Sequence, residues 1–302
     1  MLAKAMRGIL RRIKIEMLQN IEIVVILTCF NRKEKTKRCL DGLQESNKNI
    51  KFRFVIVDDN SKDGTYEMLQ SMENVIVLRG NGTLFYSGGM RIGIEYAKNA
   101  YKEYKPDYCL IINDDVDFFE DSIIRLIEFR DDNREIVVGC TCDAKGEMSY
   151  GGERKKSSFR PVFEKVMSGA SKKYCDTFDA NCVLIPFELF EAADNIDKYF
   201  IHSMGDFDFG FNCRKAGGKI VASNFFVGKC EDNPADGTWQ DKNLTFIQRV
   251  RMKESPKGLP TKQWYYFVKK YYGKPSAVYS VVVSWIRVVL CKKGKGKENR
   301  YG

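Results

Sequence analysis

Short apolar runs alternate with amphipathic segments along residues 21–240, and this alternation predicts the fold. Apolar runs occur at 23–27, 52–57, 74–78 and 110–112. Each is followed by a polar turn and then, for the first three, by a segment with helical spacing. Strands that alternate with helices indicate a mostly parallel, doubly wound α/β sheet flanked by helices, with right-handed crossovers.

The second half of the chain is less regular. Residues 145–173 hold charged residues with glycine and serine clusters, which favours surface loops and hairpins. Residues 178–186 are typical of a strand that its final proline ends before a helix. A later helix ends at 216–218, and Asp206 falls at or near its first turn, where the helix dipole favours an anion. A simple capping aspartate is the alternative.

The strand predicted at 110–112 ends abruptly in carboxylates. Asp114 and Asp115 follow it, as Asp58 and Asp59 follow the second predicted strand. Open α/β sheets bind ligands outside the carboxyl ends of their strands, where these acids are expected. Adjacent side chains of an extended segment point to opposite sides, so a single ion would take one of Asp114 and Asp115 and leave the other for a neutral part of the ligand. Oxygen ligands suit Mg²⁺ or Mn²⁺, and a solvated acidic turn is the alternative.

A glycine-rich loop at 80–89 follows the third predicted strand. Its Asn81 and Gly82 offer a backbone cradle for phosphate, with Arg91 close to the start of a helix predicted at 90–104. The loop is neither a Walker A motif nor a GxGxxG fingerprint. A flexible connector is therefore the alternative.

Composition is that of a globular protein, with 44% hydrophobic and 13% aromatic residues. The net charge of +10 lies mostly at the two ends of the chain, which indicates an anionic surface as a partner. Ten scattered cysteines favour reduced, buried thiols in a cytosolic protein over a disulfide framework. His202 is the single histidine, which excludes histidine-rich metal sites.

Both ends of the chain carry segments typical of membrane contact. Residues 1–20 place apolar side chains at helical spacing among lysines and arginines, which predicts a basic amphipathic helix. Residues 241–302 combine aromatic residues and lysines with an apolar run at 278–290 that is too short to span a bilayer. Both patterns favour peripheral attachment to an anionic membrane, and packing on the central domain is the alternative. No groove-reading motif is present, so nucleic acid is not expected as a partner.

Three motifs in matching order and spacing resemble the N-terminal signatures of family 2 glycosyltransferases of the GT-A fold. They are Ile-Leu-Thr-Cys-Phe-Asn-Arg at 26–32, Val-Ile-Val-Asp-Asp-Asn-Ser-Lys-Asp-Gly-Thr at 55–65 and Ile-Ile-Asn-Asp-Asp at 111–115. The resemblance covers about residues 22–240. The stretches at 80–91 and 205–210 are similar to a subgroup typical of bacterial surface-polysaccharide clusters.

The resemblance implies roles for individual residues. Asp59 accepts a hydrogen bond from a pyrimidine ring, so the donor is a UDP- or dTDP-sugar. Asn113 and Asp114 contact the donor, with Asp114 facing the ribose, and Asp115 holds Mn²⁺ or Mg²⁺. Asp206 is the catalytic base that takes the proton of an acceptor hydroxyl. Further donor-binding residues are expected in the first motif and around the glycine-rich loop: Thr28, Asn31, Arg32, Asn81, Gly82 and Arg91.

The chain departs from the commoner family pattern at three points. Gly205 precedes the base where glutamate is common, and Asn113 replaces the first aspartate of the DxD motif. Gly228-Lys229-Cys230 occupies the part of the sequence in which many relatives carry a histidine near the metal. Whether His202 compensates stays open, although a core or rim position is the favoured one for this residue.

The resulting prediction is an inverting, metal-dependent glycosyltransferase, peripheral on the cytoplasmic face of a bacterial membrane. It moves a hexosyl or deoxyhexosyl group from a nucleotide-diphosphate donor to a hydroxyl of a lipid-linked or growing polysaccharide acceptor. The N-terminal helix at 1–20 precedes a GT-A domain at 21–240 and a helical segment at 241–302. A sugar nucleotidyltransferase and a catalytically silent membrane-surface binding protein are the alternatives. Unlike a silent binding protein, the glycosyltransferase consumes a nucleotide sugar and releases nucleoside diphosphate.

Overall fold

The computed structural model describes residues 21–232 and 237–290, and its strands form a ten-stranded mixed sheet and a separate three-stranded sheet. The strands are β1 (Glu22–Cys29), β2 (Lys51–Asp58), β3 (Val75–Arg79), β4 (Tyr108–Ile112), β5 (Asp117–Phe118), β6 (Glu135–Cys142), β7 (Met148–Tyr150), β8 (Gly152–Lys155), β9 (Phe163–Val166), β10 (Lys173–Tyr174), β11 (Thr177–Phe178), β12 (Cys182–Pro186) and β13 (Lys219–Lys229). The helices are α1 (Lys33–Ser46), α2 (Thr65–Gln70), α3 (Phe85–Ala100), α4 (Ser122–Phe129), α5 (Phe187–Ala192), α6 (Gly205–Lys215), α7 (Phe246–Glu254), α8 (Thr261–Tyr272) and α9 (Lys274–Leu290).

The order of the main sheet is β10-β13-β6-β12-β4-β1-β2-β3, with β5 added to β13 and β7 to β6. Strands β3, β2, β1 and β4 are parallel, and β13 is parallel to β6. Strand β12 runs antiparallel between β4 and β6. Strands β8, β9 and β11 form a separate antiparallel sheet. The mostly parallel sheet flanked by helices that the sequence predicts is confirmed.

The central strands are apolar throughout because both of their faces are covered. On β1, Val24 and Ile26 belong to the core under α3, whereas Ile23, Val25 and Leu27 belong to the core under α1. All five side chains are fully buried. A strand with two buried faces shows a continuous apolar run instead of an alternating one, which is the pattern that β1 shows in the sequence.

The C-terminal helices pack on the same core as α3. In α8, Trp264, Phe267 and Val268 are buried, and α9 adds Ala277 to the same apolar cluster. No helix in the described ranges is long and apolar enough to cross a membrane. The basic helix expected at 1–20 and the basic tail that follows residue 290 lie outside those ranges.

Helix α3 starts earlier than the sequence pattern predicts. It begins at Phe85 instead of residue 90, so the end of the glycine-rich loop is helical. The helix lies unusually close to β1, since a Cβ at Gly89 would overlap the Thr28 hydroxyl. The glycines therefore serve the packing of α3 on the sheet, and this is why they do not interrupt the helix.

The strand predicted at 178–186 is broken in the structure. Its first part, β11, belongs to the small sheet, and β12 begins in the main sheet only at Cys182. The intervening residues pass from one sheet to the other. Two polar residues of that short stretch, Asp179 and Asn181, are buried.

Two matched glycine substitutions test the packing of α3. We expect Gly89→Ala to lower the free energy of unfolding by about 1 to 3 kcal/mol, because the added methyl group overpacks the contact with Thr28. Gly42 in α1 has open space around its Cβ position, so Gly42→Ala should raise the stability by about 0.5 to 1 kcal/mol. Urea unfolding measures both, and equal stabilisation by the two variants would contradict the close contact.

Candidate functional site

The carboxyl ends of the parallel strands meet at one edge of the sheet, and the predicted site residues lie along it. Strand β12 runs the opposite way, so its first residue, Cys182, reaches the same edge beside Ile112. Helix α3 also begins there, and its Ser87 N–H donates to the carbonyl of Ile201 at 3.1 Å. The loop before α6 is thereby brought to this edge, the usual ligand position in an open α/β sheet.

Arg32 joins the two aspartates that follow β4. Its guanidinium donates to Asp114 Oδ1 at 2.7 Å and to Asp115 Oδ2 at 2.6 Å. The hydroxyl of Thr36 in α1 donates to the other oxygen of Asp114 at 3.3 Å. The side chain of Asp114 is 5% exposed and that of Asp115 is 28% exposed. Of the two carboxylates, Asp115 is therefore the more accessible to a ligand.

A cysteine lies against Asp115 because β5 and β13 approach each other closely. A Cβ at Gly228 would overlap the carbonyl of Asp117 in β5, so glycine is required at this position. The Sγ of Cys230 is 3.6 Å from Asp115 Oδ1, and the Asn181 amide donates to that Sγ at 3.4 Å. Burial, followed by the charge of Asp115, raises the pKa of Cys230 to about 12, which keeps it a thiol. The late cysteine of the sequence thus borders the predicted metal ligand.

The oxygen atoms at this edge suit a hard divalent ion. Asp115 presents a carboxylate to solvent, and Mg²⁺ and Mn²⁺ are commonly bound through one or two carboxylates together with phosphate oxygens and water. The described residues contain no group of three or more His, Cys, Asp and Glu that could hold a metal. An ion at Asp115 would thus complete its coordination with oxygens of a bound diphosphate and water.

Asp59 organises the glycine-rich loop. Its Oδ1 accepts from the N–H of Gly82 at 2.7 Å, and its Oδ2 accepts from the N–H groups of Leu84 and Phe85 at 2.9 and 3.1 Å. Gly82 and Phe85 adopt positive φ angles of 88° and 53°, which turn these N–H groups toward the carboxylate. Carboxylate oxygens each accept two hydrogen bonds. A contact with a pyrimidine ring is compatible with this arrangement and stays a prediction.

The other predicted donor-binding residues shape the loops at this edge. The Thr28 hydroxyl donates to a carbonyl of β2 at 3.0 Å. The side-chain oxygen of Asn31 accepts from a backbone N–H in the loop after β2 at 2.7 Å. Asn81 accepts from the N–H of Thr83 at 2.9 Å. The thiol of Cys39 donates to the backbone carbonyl of Asn113 at 3.3 Å.

Arg91 holds the loop that leads to α6. Its guanidinium donates to the carbonyls of Ile196, Asp197 and Phe200 at 3.0, 3.1 and 2.6 Å. All three acceptors are backbone carbonyls of the loop before α6, so Arg91 positions this loop in the structure. Direct contact of Arg91 with a donor stays a prediction.

Asp206 lies in the first turn of α6, as the sequence predicts. Met204 before it has a positive φ of 68°, and Asp206 Oδ1 accepts from the N–H of Phe207 at 2.9 Å. Gly205 packs directly on α3, because a Cβ there would overlap the hydroxyl of Ser87. This explains the departure from the commoner glutamate at this position: a longer side chain does not fit against α3.

Tyr86 links Asp206 to the rest of the site, although no sequence pattern marks it as a site residue. Burial, followed by the negative charges of Asp206 and Asp179, raises the pKa of its phenol, so both carboxylates lie near the ring. Asn181, two residues after Asp179, contacts the thiol beside Asp115. Asp115, through Cys230, and Asp206, through the ring of Tyr86, are therefore both connected to one short stretch of chain, residues 179–181.

His202 lies at the rim of the site, against the start of α3. Its ring is perpendicular to those of Phe85 and Tyr86, with centroids 6.2 and 6.4 Å away. Its Nδ1 accepts from the N–H of Tyr86 at 3.4 Å. The histidine thus supports the loop that Asp59 organises.

Asp208 is buried and connects α6 to α8. Its Oδ1 accepts from Lys270 Nζ at 2.6 Å and from the hydroxyl of Tyr271 at 2.5 Å, and its Oδ2 accepts from the N–H of Asp197 at 2.8 Å. A carboxylate engaged in this way is unavailable to an acceptor. It fixes the helix that carries Asp206.

The burial of Asp114 makes stability depend on pH. Burial raises its pKa from 3.8 to about 6, against the opposing charge of Arg32. Because the folded protein binds this proton more tightly than the unfolded chain does, protonation of Asp114 stabilises the fold. The stabilisation is fully present below about pH 4 and is lost as the pH rises through about 6. The stability of Asp114→Asn relative to wild type should increase by about 2 kcal/mol from about pH 4.5 to about pH 7.5. Urea unfolding with EDTA present tests this, and a constant difference would refute it.

Comparisons with known proteins agree with the fold. GalNAc-T7, solved with UDP, GalNAc and Mn²⁺, superimposes with a TM-score of 0.50 at 12% identity, covering 88% of this chain and 57% of that one. TarS from S. aureus superimposes with a TM-score of 0.50 at 13% identity, covering 89% and 49%. The chain thus spans about half the length of these two structures. The mannosyltransferase PcManGT from Pyrobaculum calidifontis, in complex with GDP-Man and Mn²⁺, has a TM-score of 0.45 at 13% identity, covering 91% and 76%.

No curated protein sequence matches the chain. The model of a protein family, described as glycosyl transferase family 2, matches residues 24–192, which is more than half of the chain. The matched region contains the three motifs and the strands whose ends form the site. The chain therefore belongs to glycosyl transferase family 2, the family that its N-terminal motifs predicted.

Proposed function

We propose that this protein is an inverting, metal-dependent glycosyltransferase with a UDP- or dTDP-sugar as donor. The acceptor is a hydroxyl group of a lipid-linked or growing polysaccharide. The observation that carries the proposal is that Asp115, through hydrogen bonds, and Asp206, through the ring of Tyr86, both connect to residues 179–181. One carboxylate is placed for a diphosphate and its cation, and the other for an incoming alcohol.

The donor side is built from the loops after β1, β2 and β4. Asp59 and the loop that it organises receive the pyrimidine end of the donor, and Asp114 faces the ribose. The guanidinium of Arg32 donates through both of its NH2 groups, and the group that bonds to Asp115 can instead donate to a diphosphate oxygen. Guanidinium geometry is well suited to phosphate. A Mn²⁺ or Mg²⁺ ion bound at Asp115 would supply Lewis-acid stabilisation of the departing nucleoside diphosphate.

The acceptor side is built from α3 and α6. Asp206 takes the proton of the acceptor hydroxyl while the oxygen attacks the anomeric carbon from the face opposite the leaving group. A single displacement of this kind inverts the anomeric configuration. The phenol of Tyr86 stays protonated close to Asp206, and Asp208 with Lys270 holds the helix in place.

The remaining parts of the proposal concern the subgroup, the domain bounds and the cellular location of the enzyme. The motifs at 80–91 and 205–210 favour the bacterial surface-polysaccharide subgroup, with the GT-A domain at 21–240 and a C-terminal segment at 241–302. All nine cysteines that the structure describes are buried and free of disulfides, which is consistent with a reducing cytoplasm. Basic termini favour a peripheral position on the inner face of the membrane. Membership of the family favours sugar transfer over a nucleotidyltransferase or a silent binding protein.

Asp115→Ala is expected to abolish the Mn²⁺-dependent release of nucleoside diphosphate from the donor, because the ion loses its protein ligand. The donor is first chosen by thermal shift with UDP- and dTDP-sugars in the presence of Mn²⁺, and its hydrolysis is then followed with and without acceptor. The exposed Asp117, paired with Arg38, gives the control Asp117→Ala, which should retain activity. Unchanged Mn²⁺ dependence in Asp115→Ala would refute the metal assignment.

Asp206→Asn is expected to bind the donor normally and to lose transfer by about 100-fold or more, because the amide cannot take the acceptor proton. Calorimetry measures donor binding and a steady-state assay measures transfer. Asp208→Asn, the buried neighbour, should instead lower the thermal unfolding temperature. A merely twofold loss in Asp206→Asn would place the base elsewhere.

A further inference from the structure

Helix α9 exposes a row of large apolar side chains on the face that is turned away from the protein. The residues packed against the rest of the molecule are mostly small, with Ala277, Ser280, Ser284 and Val288 buried. Five aliphatic side chains, each 48% to 59% exposed, form what we term the α9 stripe: Val278, Val282, Ile286, Val289 and Leu290.

The α9 stripe is one continuous helix face. Its members are separated by three or four residues along most of its length, which aligns side chains on one side of a helix. A surface helix normally buries its apolar face and exposes its polar one, whereas α9 exposes an apolar face. The ring of Tyr279 extends the stripe, and it lies 5.6 Å from the ring of the exposed Phe159.

Positively charged residues accompany this apolar face on the helix and in the sequence that follows it. Lys274 and Arg287 are exposed on α9 itself, and four lysines follow the helix in the sequence: Lys292, Lys293, Lys295 and Lys297. Residues 241–302 carry fifteen Lys and Arg against three Asp and Glu, while residues 21–240 carry thirty against thirty-six. Most of the excess positive charge of the protein therefore belongs to the segment of the chain that carries the apolar stripe.

We propose that the α9 stripe lies in the surface layer of an anionic phospholipid membrane and anchors the enzyme there. Aliphatic side chains enter the boundary between headgroups and acyl chains, and lysines and arginines stay with the phosphate groups. Helix α9 has 17 residues and is about 25 Å long, so it lies along the surface. This assignment rests on the peripheral membrane location proposed above.

The anchor is connected to the site through α8. The indole N–H of Trp264 in α8 donates to the carbonyl of Ser280 in α9 at 3.3 Å. On the same helix, Lys270 binds the buried Asp208 of α6, the helix that begins with the proposed base. One layer of helix thus separates the membrane-facing stripe from α6, which keeps Asp206 close to an acceptor held by a lipid.

The test is co-sedimentation of the full-length protein with phosphatidylcholine vesicles that contain or lack phosphatidylglycerol. Wild type should bind the anionic vesicles, with weaker binding at higher salt. The double variant Val282→Ser, Ile286→Ser should bind at least about tenfold more weakly, because two aliphatic side chains no longer leave water. The matched control is Ile92→Ser, on α3, where the wild-type side chain is 38% exposed; it should bind like wild type.

Equal vesicle binding by wild type and the double variant would overturn the assignment. So would a wild-type protein that does not co-sediment with the vesicles containing phosphatidylglycerol. Loss of binding on removing residues 1–20 alone would also overturn it in favour of the N-terminal segment. A wild-type dimer that the double variant converts to monomer, without any vesicle binding, would identify a second copy as the occupant. Donor hydrolysis measured without vesicles should be equal in wild type and the double variant, so a failure of the anchor is distinguishable from a failure of the proposed chemistry.

Discussion

The antiparallel pairing of β12 between β4 and β6 is the constraint on which the site depends. Backbone hydrogen bonds to both neighbours fix its register, with Cys182 opposite Ile112 and Val183 opposite Val138. A strand that ran parallel to its neighbours would begin at the opposite edge of the sheet. Because β12 is reversed, residues 179–181 come to the edge where β4 ends, next to the aspartates that follow this strand.

The electrostatics of this edge reflect a balance between burial and pairing. Burial, and to a smaller extent the charge of the neighbouring Asp115, raises the pKa of Asp114. Arg32 offsets part of this effect by bonding to both aspartates. The arrangement keeps Asp115 accessible and fixes the orientation of its carboxylate.

The C-terminal helices connect the catalytic end of the molecule to its outer surface. Asp208 accepts bonds from Lys270 and Tyr271 of α8, and α8 in turn packs on α9. Such a buried, fully engaged carboxylate is costly to disturb. The start of α6 is thus held by contacts with α3 on one side and with α8 on the other, and both meet close to Asp206.

Local sequence patterns were sufficient to predict the strands and turns whose formation depends mainly on neighbouring residues. Buried strands appear as apolar runs and turns as clusters of polar residues, so the ends of β1, β2 and β4, with their carboxylates, were predictable. The first turn of α6 at Asp206 was predictable for the same reason. The family motifs lie in these same segments, which is why they identified the fold and the family.

Contacts between distant segments were decided by the tertiary structure. The start of α3 at Phe85 depends on glycines that fit against Thr28, and the bonds of Arg91 depend on a loop about a hundred residues away. The position of Cys230 beside Asp115, of Tyr86 beside Asp206, and the outward turn of the α9 stripe follow from sheet register and helix packing. Periodicity along a chain shows that a helix has an apolar face, but only the packed structure decides whether that face is covered.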